Sequence, residues 1–405
     1  MLAGKERWVL ALLVISAVIN YFDRANLAVG AVSIQRELHL SESRLGLLLS
    51  AFSWTYAAMQ LSFAAGWLAD RFNVSLVYAA GFFLWSGSTA GAGFASAFGV
   101  FFALRLLLGA GESIAYPCYS RIFASFPEHH RGLANALIDA GTKSGPALGT
   151  LIGGLAMARF GWRAFFIALG IASMLWLLPW LRWMPPAAAA TGDAGAAPGA
   201  CDILRQRSAW GTFFGLFCGN YYWYFLMNWL PAYLETARGF SKPKMAVVAS
   251  LTFFAAAGSS IISGWISDRW IARGGSPTLV RRTFTGLGLA LSVVILPVSV
   301  IRDDRMATAL LLLAGAVYGI FSSNIWAITQ TLAGPSAAGT WTSIQNGIAN
   351  LAGIAAPWFT GWIVERTGSF HFAFLVAAAV AAAGAAIYGF GIGPVKQVVF
   401  ARRRE

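Results

Sequence analysis

Six charged residues stand inside otherwise apolar stretches of this chain: Asp23, Arg24, Arg105, Glu112, Asp139 and Lys143. A charge at the centre of a bilayer costs about 2.5 to 3.5 kcal/mol on insertion scales, so such residues face a bundle interior or a watery cavity. The densest group is Ile19-Asn20-Tyr21-Phe22-Asp23-Arg24-Ala25-Asn26. At helical spacing Asn20 shares a face with Arg24 and neighbours Asp23. The planar fork of Arg24 matches a carboxylate bidentately, which points to an anionic ligand. A buried glutamate such as Glu112 can load and release a proton. At about 1.5 Å per residue, Arg24 and Arg105 both come out about 10 Å below one membrane surface, with Asp23 beside them. Glu112 lies two turns deeper on the Arg105 face. Those depths allow an Asp23–Arg105 ion pair, which would leave Arg24 and Glu112 without obvious partners. The plainer alternative is a set of structural ion pairs holding the two stretches together. Asp139 and Lys143, one turn apart, either neutralise each other or leave Lys143 for substrate.

The elements that must position these residues are membrane helices. The chain has 405 residues, 58% hydrophobic and 11% charged, more apolar sequence than a soluble domain of this size needs. Hydrophobic runs divide at charges and turn residues into twelve spans, near 8–29, 45–68, 75–95, 98–118, 132–158, 163–183, 209–235, 245–267, 282–300, 307–329, 341–364 and 370–392. The expected fold is therefore an all-α membrane protein. Short alternating segments of a β-barrel are absent. No cleavable signal is expected, because the first apolar run is too long and lacks a small-residue cleavage site. The stretch PPAAAATGDAGAAPGA cannot form a core, and makes 185–206 a linker between bundles at 1–184 and 207–405. An internal repeat agrees: Gly66-Trp67-Leu68-Ala69-Asp70-Arg71 closes the second span, and Gly264-Trp265-Ile266-Ser267-Asp268-Arg269 closes the eighth. Parallel six-helix repeats suit the major facilitator architecture. The net charge of +13 reflects membrane topology and not nucleic acid, since Lys and Arg favour the ends and loops on the side of both termini. Both termini are thus expected in the cytoplasm. Cys118, Cys201 and Cys218 fit neither a disulfide framework nor a metal motif.

The second half has no charge within its spans but carries polar and aromatic groups. Ser323 and Trp326 share a face, and Gln345, Asn346 and Asn350 lie in the eleventh span. Such groups suit a hydroxyl-rich ligand, or equally hydrogen bonding between helices. Tyr56 lies mid-span, deeper than a belt aromatic. Tyr221, Tyr222 and Tyr224 either line a cavity or pack. Asp70-Arg71 and Asp268-Arg269, at cytoplasmic helix ends, read as conformational latches, each Asp facing the N-terminus of a neighbouring helix.

These residues resemble the anion:cation symporter family of the major facilitator superfamily, which includes galactonate, glucarate and hexuronate transporters. The likeness rests on Asn20-Tyr21-Phe22-Asp23-Arg24, Arg105 to Gly111-Glu112, Trp229-Leu230-Pro231, Asn346 and Thr367-Gly368-Ser369-Phe370. It implies that Arg24 holds a substrate carboxylate with Tyr21 and Tyr56 nearby. It also implies that Asp23 and Glu112 are the protonatable pair, regulated by Arg105, and that Ser323, Trp326 and Asn346 close the site from the second half. Two departures stand out. Lys143 replaces the neutral amide usual in sugar-acid transporters, so a free Lys143 would favour a second acidic group on the substrate. Asn73 replaces the usual Gly of the first latch loop and Val74-Ser75 a basic pair, which loosens that latch. Asn tolerates the left-handed conformation, so the turn itself can survive.

The expected activity is proton-coupled symport of a small organic carboxylate, a sugar acid or related organic anion, by alternating access in a bacterial inner membrane. The partners are that anion, protons and the bilayer, with no nucleic acid, metal or cofactor and a monomeric state. An exporter or antiporter using the same cavity is the alternative. A multispan transferase would need a catalytic constellation, and His39, His129, His130 and His371 stand at loop ends without spaced partners.

Overall fold

The computed structural model describes residues 4–62, 64–124, 128–184 and 200–398, and every regular element among them is helical. The first helices are α1 (Gly4–Glu37), α2 (Glu42–Leu61), α3 (Ala64–Arg71) and α4 (Val74–Ala92). They are followed by α5 (Phe98–Ser113), α6 (Ala115–Ala124), α7 (Glu128–Met174), α8 (Leu177–Trp183) and the short α9 (Ala200–Leu204). The remainder comprises α10 (Arg207–Thr236), α11 (Lys242–Ala272), α12 (Pro277–Leu291), α13 (Asp304–Ser322), α14 (Ile325–Asn350), α15 (Ala352–Thr367) and α16 (His371–Ala386). Among the described residues, eight helical stretches are long and apolar enough to cross a membrane. Most of the expected linker, 185–199, lies outside the described residues, and its last part forms α9.

Two glycines do the work of loops. In α7, Gly141 meets Ala17 and Val14, Gly145 meets Tyr21 and Val18, Gly149 meets Phe22, and Gly153 meets Asn26. This four-residue stripe lets α7 climb along α1 at backbone contact distance. At Gly161 the backbone takes φ +80° and the chain reverses. The returning segment sets Gly170 against Ala90, while Trp176 Nε1 donates to Leu12 O and Trp180 Nε1 donates to Ser75 O. Glu37 ties the reversal down, accepting from Trp162 Nε1 and from Arg163 Nε, each at 2.6 Å. The gap expected between the fifth and sixth spans is thus a single residue with positive φ. Gly334, at φ +64°, breaks α14 in the same way.

The chain forms two compact units. The first lies within Met1–Gly192, Leu226–Phe253 and Pro357–Gly368. The second lies within Asp193–Phe225, Phe254–Ala356 and Ser369–Glu405. Inside the first, α2 crosses α15 at two glycines: a Cβ on Gly46 would stand 2.6 Å from Pro357 O, and one on Gly361 would meet Glu42 O. Beside this crossing the Ser43 N–H donates to Glu365 Oε2 at 2.7 Å. Ser250 Oγ donates to Ala147 O, and Lys242 Nζ to Val29 O and Glu235 Oε1. The core of this unit is aromatic. Tyr78, Phe82, Trp85, Trp176 and Trp180 pack together, and Tyr78 OH links Ser16 Oγ (2.6 Å) and Tyr119 OH (2.9 Å).

In the second unit, Tyr222 and Trp223 each stack on Tyr318, and Phe321 fills the spaces left by Gly219 and Gly288. The segment after α16 folds back as a strap. Gly393 N donates to Ser208 Oγ, Val395 N to Thr278 Oγ1, and Val398 N to Leu332 O.

Candidate functional site

The site begins with how α5 approaches its neighbours. Gly109 lies against Phe52 O and Thr55 of α2, and Gly111 lies against Gly81 O and Trp85 of α4. Any side chain at either position would hold the helices apart. Thr55 Oγ1 donates to Leu106 O at 2.6 Å, and Gln60 Nε2 to Ser113 O at 3.0 Å, fixing α2 on α5. The close approach delivers Glu112, on the last turn of α5, to the α1 face bearing Arg24.

Arg24 Nε donates to Glu112 Oε2 at 2.8 Å, with the two side chains 6% and 0% exposed. Three rings surround the guanidinium: its carbon lies 4.4 Å from the Tyr21 centroid, 4.7 Å from Phe52 and 4.9 Å from Tyr56. Phe52 and Tyr56 are one turn apart on α2 and touch each other. A desolvated cation over aromatic faces gains about 2 kcal/mol or more per favourable contact, so the rings help offset the cost of burying the charge. Tyr21 OH lies 3.3 Å from Tyr116 OH of α6.

The depth estimate paired the wrong charges. Among the described residues the ion pair that forms in this cluster is Arg24–Glu112, whereas Asp23 and Arg105 are buried near each other without forming one. Arg105 lies 5.8 Å over the Phe52 ring. Spacing along a helix gives depth but not rotation, and the glycines of α5 turn Glu112 toward Arg24.

Tyr21, Asp23, Arg24, Tyr56, Arg105 and Glu112 are therefore together in the first unit. Phe52 and Tyr116 join them and were missed by sequence reasoning. Their only signals were helical spacing: Phe52 one turn before Tyr56, and Tyr116 one turn after Glu112. Lys143 and Asp139 lie on α7 and Asp70 on α3, but all three side chains are outside the described residues.

In the second unit, Ser323 Oγ donates to Ile320 O at 2.8 Å and accepts from Asn324 Nδ2 at 2.9 Å. Its hydroxyl is engaged in ending α13. Trp326 is 38% exposed on the first turn of α14. Asn346 Oδ1 accepts from Asn350 Nδ2 at 3.0 Å, and Asn350 Oδ1 accepts from Tyr224 OH at 2.7 Å. Gln345 Oε1 accepts from Thr329 Oγ1, with the side chain fully buried.

The latch residues separate. Asp268 and Arg269 are exposed, Asp268 facing Arg281 and Arg269 lying over Trp265 at 5.4 Å. Ser267, between the halves of that motif, donates to Asn324 Oδ1 at 2.7 Å. Arg71 is exposed. Asn73 is not left-handed, as the turn argument supposed. At φ −61° and ψ 109° it is the N-cap of α4, accepting from Ser75 N and Leu76 N. An Asn supplies that acceptor and a Gly does not.

Residues 13–357 match the family described as Major Facilitator Superfamily. A probable sulfoacetate transporter of Cupriavidus necator is 31% identical, the alignment covering 91% of this chain and 89% of that one. A probable galactarate/D-glucarate transporter of Bacillus subtilis is 30% identical over 100% of this chain and 96% of that one. A D-galactonate transporter of Escherichia coli is 29% identical, covering 98% and 97%. Among solved structures, a bacterial homologue of the human lysosomal transporter Spinster, inward-facing and occupied, superposes with a TM-score of 0.82 at 18% identity, covering 96% of this chain and 97% of that one. That likeness is one of fold. A buried, ring-walled arginine on apolar helices, in a chain matched along most of its length, identifies a multi-pass membrane transporter of the Major Facilitator Superfamily and not an enzyme.

Proposed function

We propose that this transporter carries a small organic anion, bound through a carboxylate or similar acidic group, together with protons. The observation behind the reading is the sealed Arg24–Glu112 pair inside its three rings. A substrate anion must compete with Glu112 for the guanidinium. Protonation of Glu112 removes that competitor, because a neutral carboxyl no longer balances the arginine. Proton and anion then enter together and the buried charge stays balanced. Relatives described as carriers of sulfoacetate, galactarate or glucarate, and galactonate support an acidic substrate, and the first two names denote dianions.

Arg24, Tyr21 and Tyr56 are the proposed substrate contacts, with Lys143 for a second acidic group and Ser323, Trp326 and Asn346 for hydroxyls. Asp23, Glu112 and Arg105 carry the coupling, and the Asp70-Arg71 and Asp268-Arg269 pairs act as cytoplasmic latches. Twelve spans in two bundles, 1–184 and 207–405, with both termini cytoplasmic, complete the reading, and alternating access needs no cofactor. On that topology the α2–α15 crossing and Glu365 seal the outer end.

The test is uptake into proteoliposomes with and without an inward proton gradient, offering sulfoacetate, galactarate, D-glucarate, galactonate, glucuronate, tartrate and phthalate. Gradient-stimulated uptake of one acid is expected. Glu112→Gln should abolish it while retaining exchange of acid for acid. Accumulation only with the gradient reversed would assign the protein to export instead.

A further inference from the structure

Around Asp23 and Glu112, buried polar atoms collect that meet no well-formed hydrogen bond among the described residues, although Thr89 stands beside the Asp23 carboxyl and Asn20 beside Glu112. Asn20 Nδ2, both Asp23 oxygens, Thr89 Oγ1, Arg105 Nε and Glu112 Oε1 are each buried without such a bond. All five residues are at most 4% exposed. They come from three elements: α1 (Asn20, Asp23), α4 (Thr89) and α5 (Arg105, Glu112). They face one another, since Asp23 has Glu112, Arg105 and Thr89 as its neighbours, and Glu112 has Arg24, Arg105 and Asn20. Ser86, one turn before Thr89 on α4, is likewise buried with its hydroxyl unbonded. Buried polar groups are nearly always paired with protein or water, so several failures in one place mark a site built for something small and polar.

We propose that α1, α4 and α5 enclose a water-holding chamber joining Asp23 to Glu112, and that Thr89 is a positioning residue in it. The inference rests on the proton-coupled reading of the same site. The occupant is water: the chamber offers donors (Arg105, Asn20, Thr89) and acceptors (Asp23, Glu112), and a bridging water needs two to four such partners. A metal cation is disfavoured by the guanidinium of Arg105 beside Asp23. The transfer balances. A carboxyl proton of Asp23 passes to the bridging water while that water gives a proton to the Glu112 carboxylate, so the O–H bond broken on Asp23 is replaced by one formed on Glu112. Arg24 is released by that step, and Arg105 holds the carboxylate left at Asp23. Tyr21 and Tyr56 face Arg24, while α7 brings Gly141, Gly145 and Gly149 to α1. Thr89 keeps the Asp23 carboxyl in the orientation that meets the water.

Infrared spectroscopy of the purified full-length protein in liposomes, titrated with acid and base, reads the carboxyl stretch directly and needs no substrate. A protonated-carboxyl band that Asp23→Asn removes should be present in the wild type. Thr89→Val swaps the hydroxyl for a methyl of the same shape. It should raise the frequency of that band and shift its midpoint by roughly one pH unit, the size of losing one hydrogen bond to a charged group. Thr89→Ser should restore both. An unchanged band in Thr89→Val, or a Thr89→Ser band that behaves like the Val form, would overturn the proposal. In the transport arm, Thr89→Val should move the pH profile of gradient-driven D-glucarate uptake and spare acid–acid exchange. Absence of glucarate uptake in the wild type, with the infrared response as expected, would count against the substrate reading and for the chamber.

Discussion

Removing one partner of the Arg24–Glu112 pair leaves an unpaired buried charge, at a cost of about 3 to 5 kcal/mol. Arg24→Met and Glu112→Met should each lower the thermal unfolding midpoint in detergent, and the double variant should recover much of the loss. A double variant as unstable as the worse single would mean that the rings, not the carboxylate, hold the arginine. Arg24→Lys keeps the charge but loses the planar fork and the stacking on Tyr21, Phe52 and Tyr56. Substrate affinity should fall about tenfold to a hundredfold, equivalent to one charge-assisted hydrogen bond, as read from competition in acid exchange. At this scale the sequence was informative where chemistry is rare: a charge inside an apolar run is visible without a structure. It was silent where the residue type is ordinary for a membrane, so Phe52, Thr89 and Tyr116 carried no flag.

Helix approach depends on glycines spaced a turn or so apart. Gly145→Leu would drive its side chain into Tyr21 and Val18 O. Overpacking of this kind costs about 1 to 3 kcal/mol, and here it also displaces a ring of the arginine box. Lower thermal stability together with weaker acid binding is expected, whereas lowered stability alone would show that Tyr21 does not contact the substrate. Gly46→Leu acts at the other crossing, propping α2 away from α15. Transport should stop in protein that still elutes as a folded species on gel filtration, if closure of that end is part of the cycle. That the chain is all-helical and rich in membrane-length apolar helices was legible from hydropathy, but the partners of each helix were not. Spacing of apolar residues sets a helix in place, while the glycines that decide which face it offers look like any others. Asn73 shows the same limit, since its identity allowed a left-handed turn and the structure uses its side chain as a cap.

At the scale of the molecule, the compact units cut across the two sequence halves. Segments 226–253 and 357–368 belong with the first unit although they lie beyond the low-complexity stretch. A protease site inserted at 190–195 should therefore yield two fragments that co-elute in detergent. Fragments that separate would show that the contacts of α15 and α11 with α2 and α7 are too weak to hold the halves. Composition marks where the chain can be cut, but not which helices pair across the cut, because that depends on residues far apart in sequence. The Ser43–Glu365 hydrogen bond spans 322 residues. At a synthesis rate of about 5 to 20 residues per second, the N-terminus of α2 waits about 16 to 64 s on the ribosome before its capping carboxylate has been made. During that interval the glycine face of α2 is bare of α15. The nascent protein thus needs the insertion machinery or surrounding lipid to cover that face, and slowing elongation between Gly46 and Gly361 should lengthen its exposure to membrane proteases.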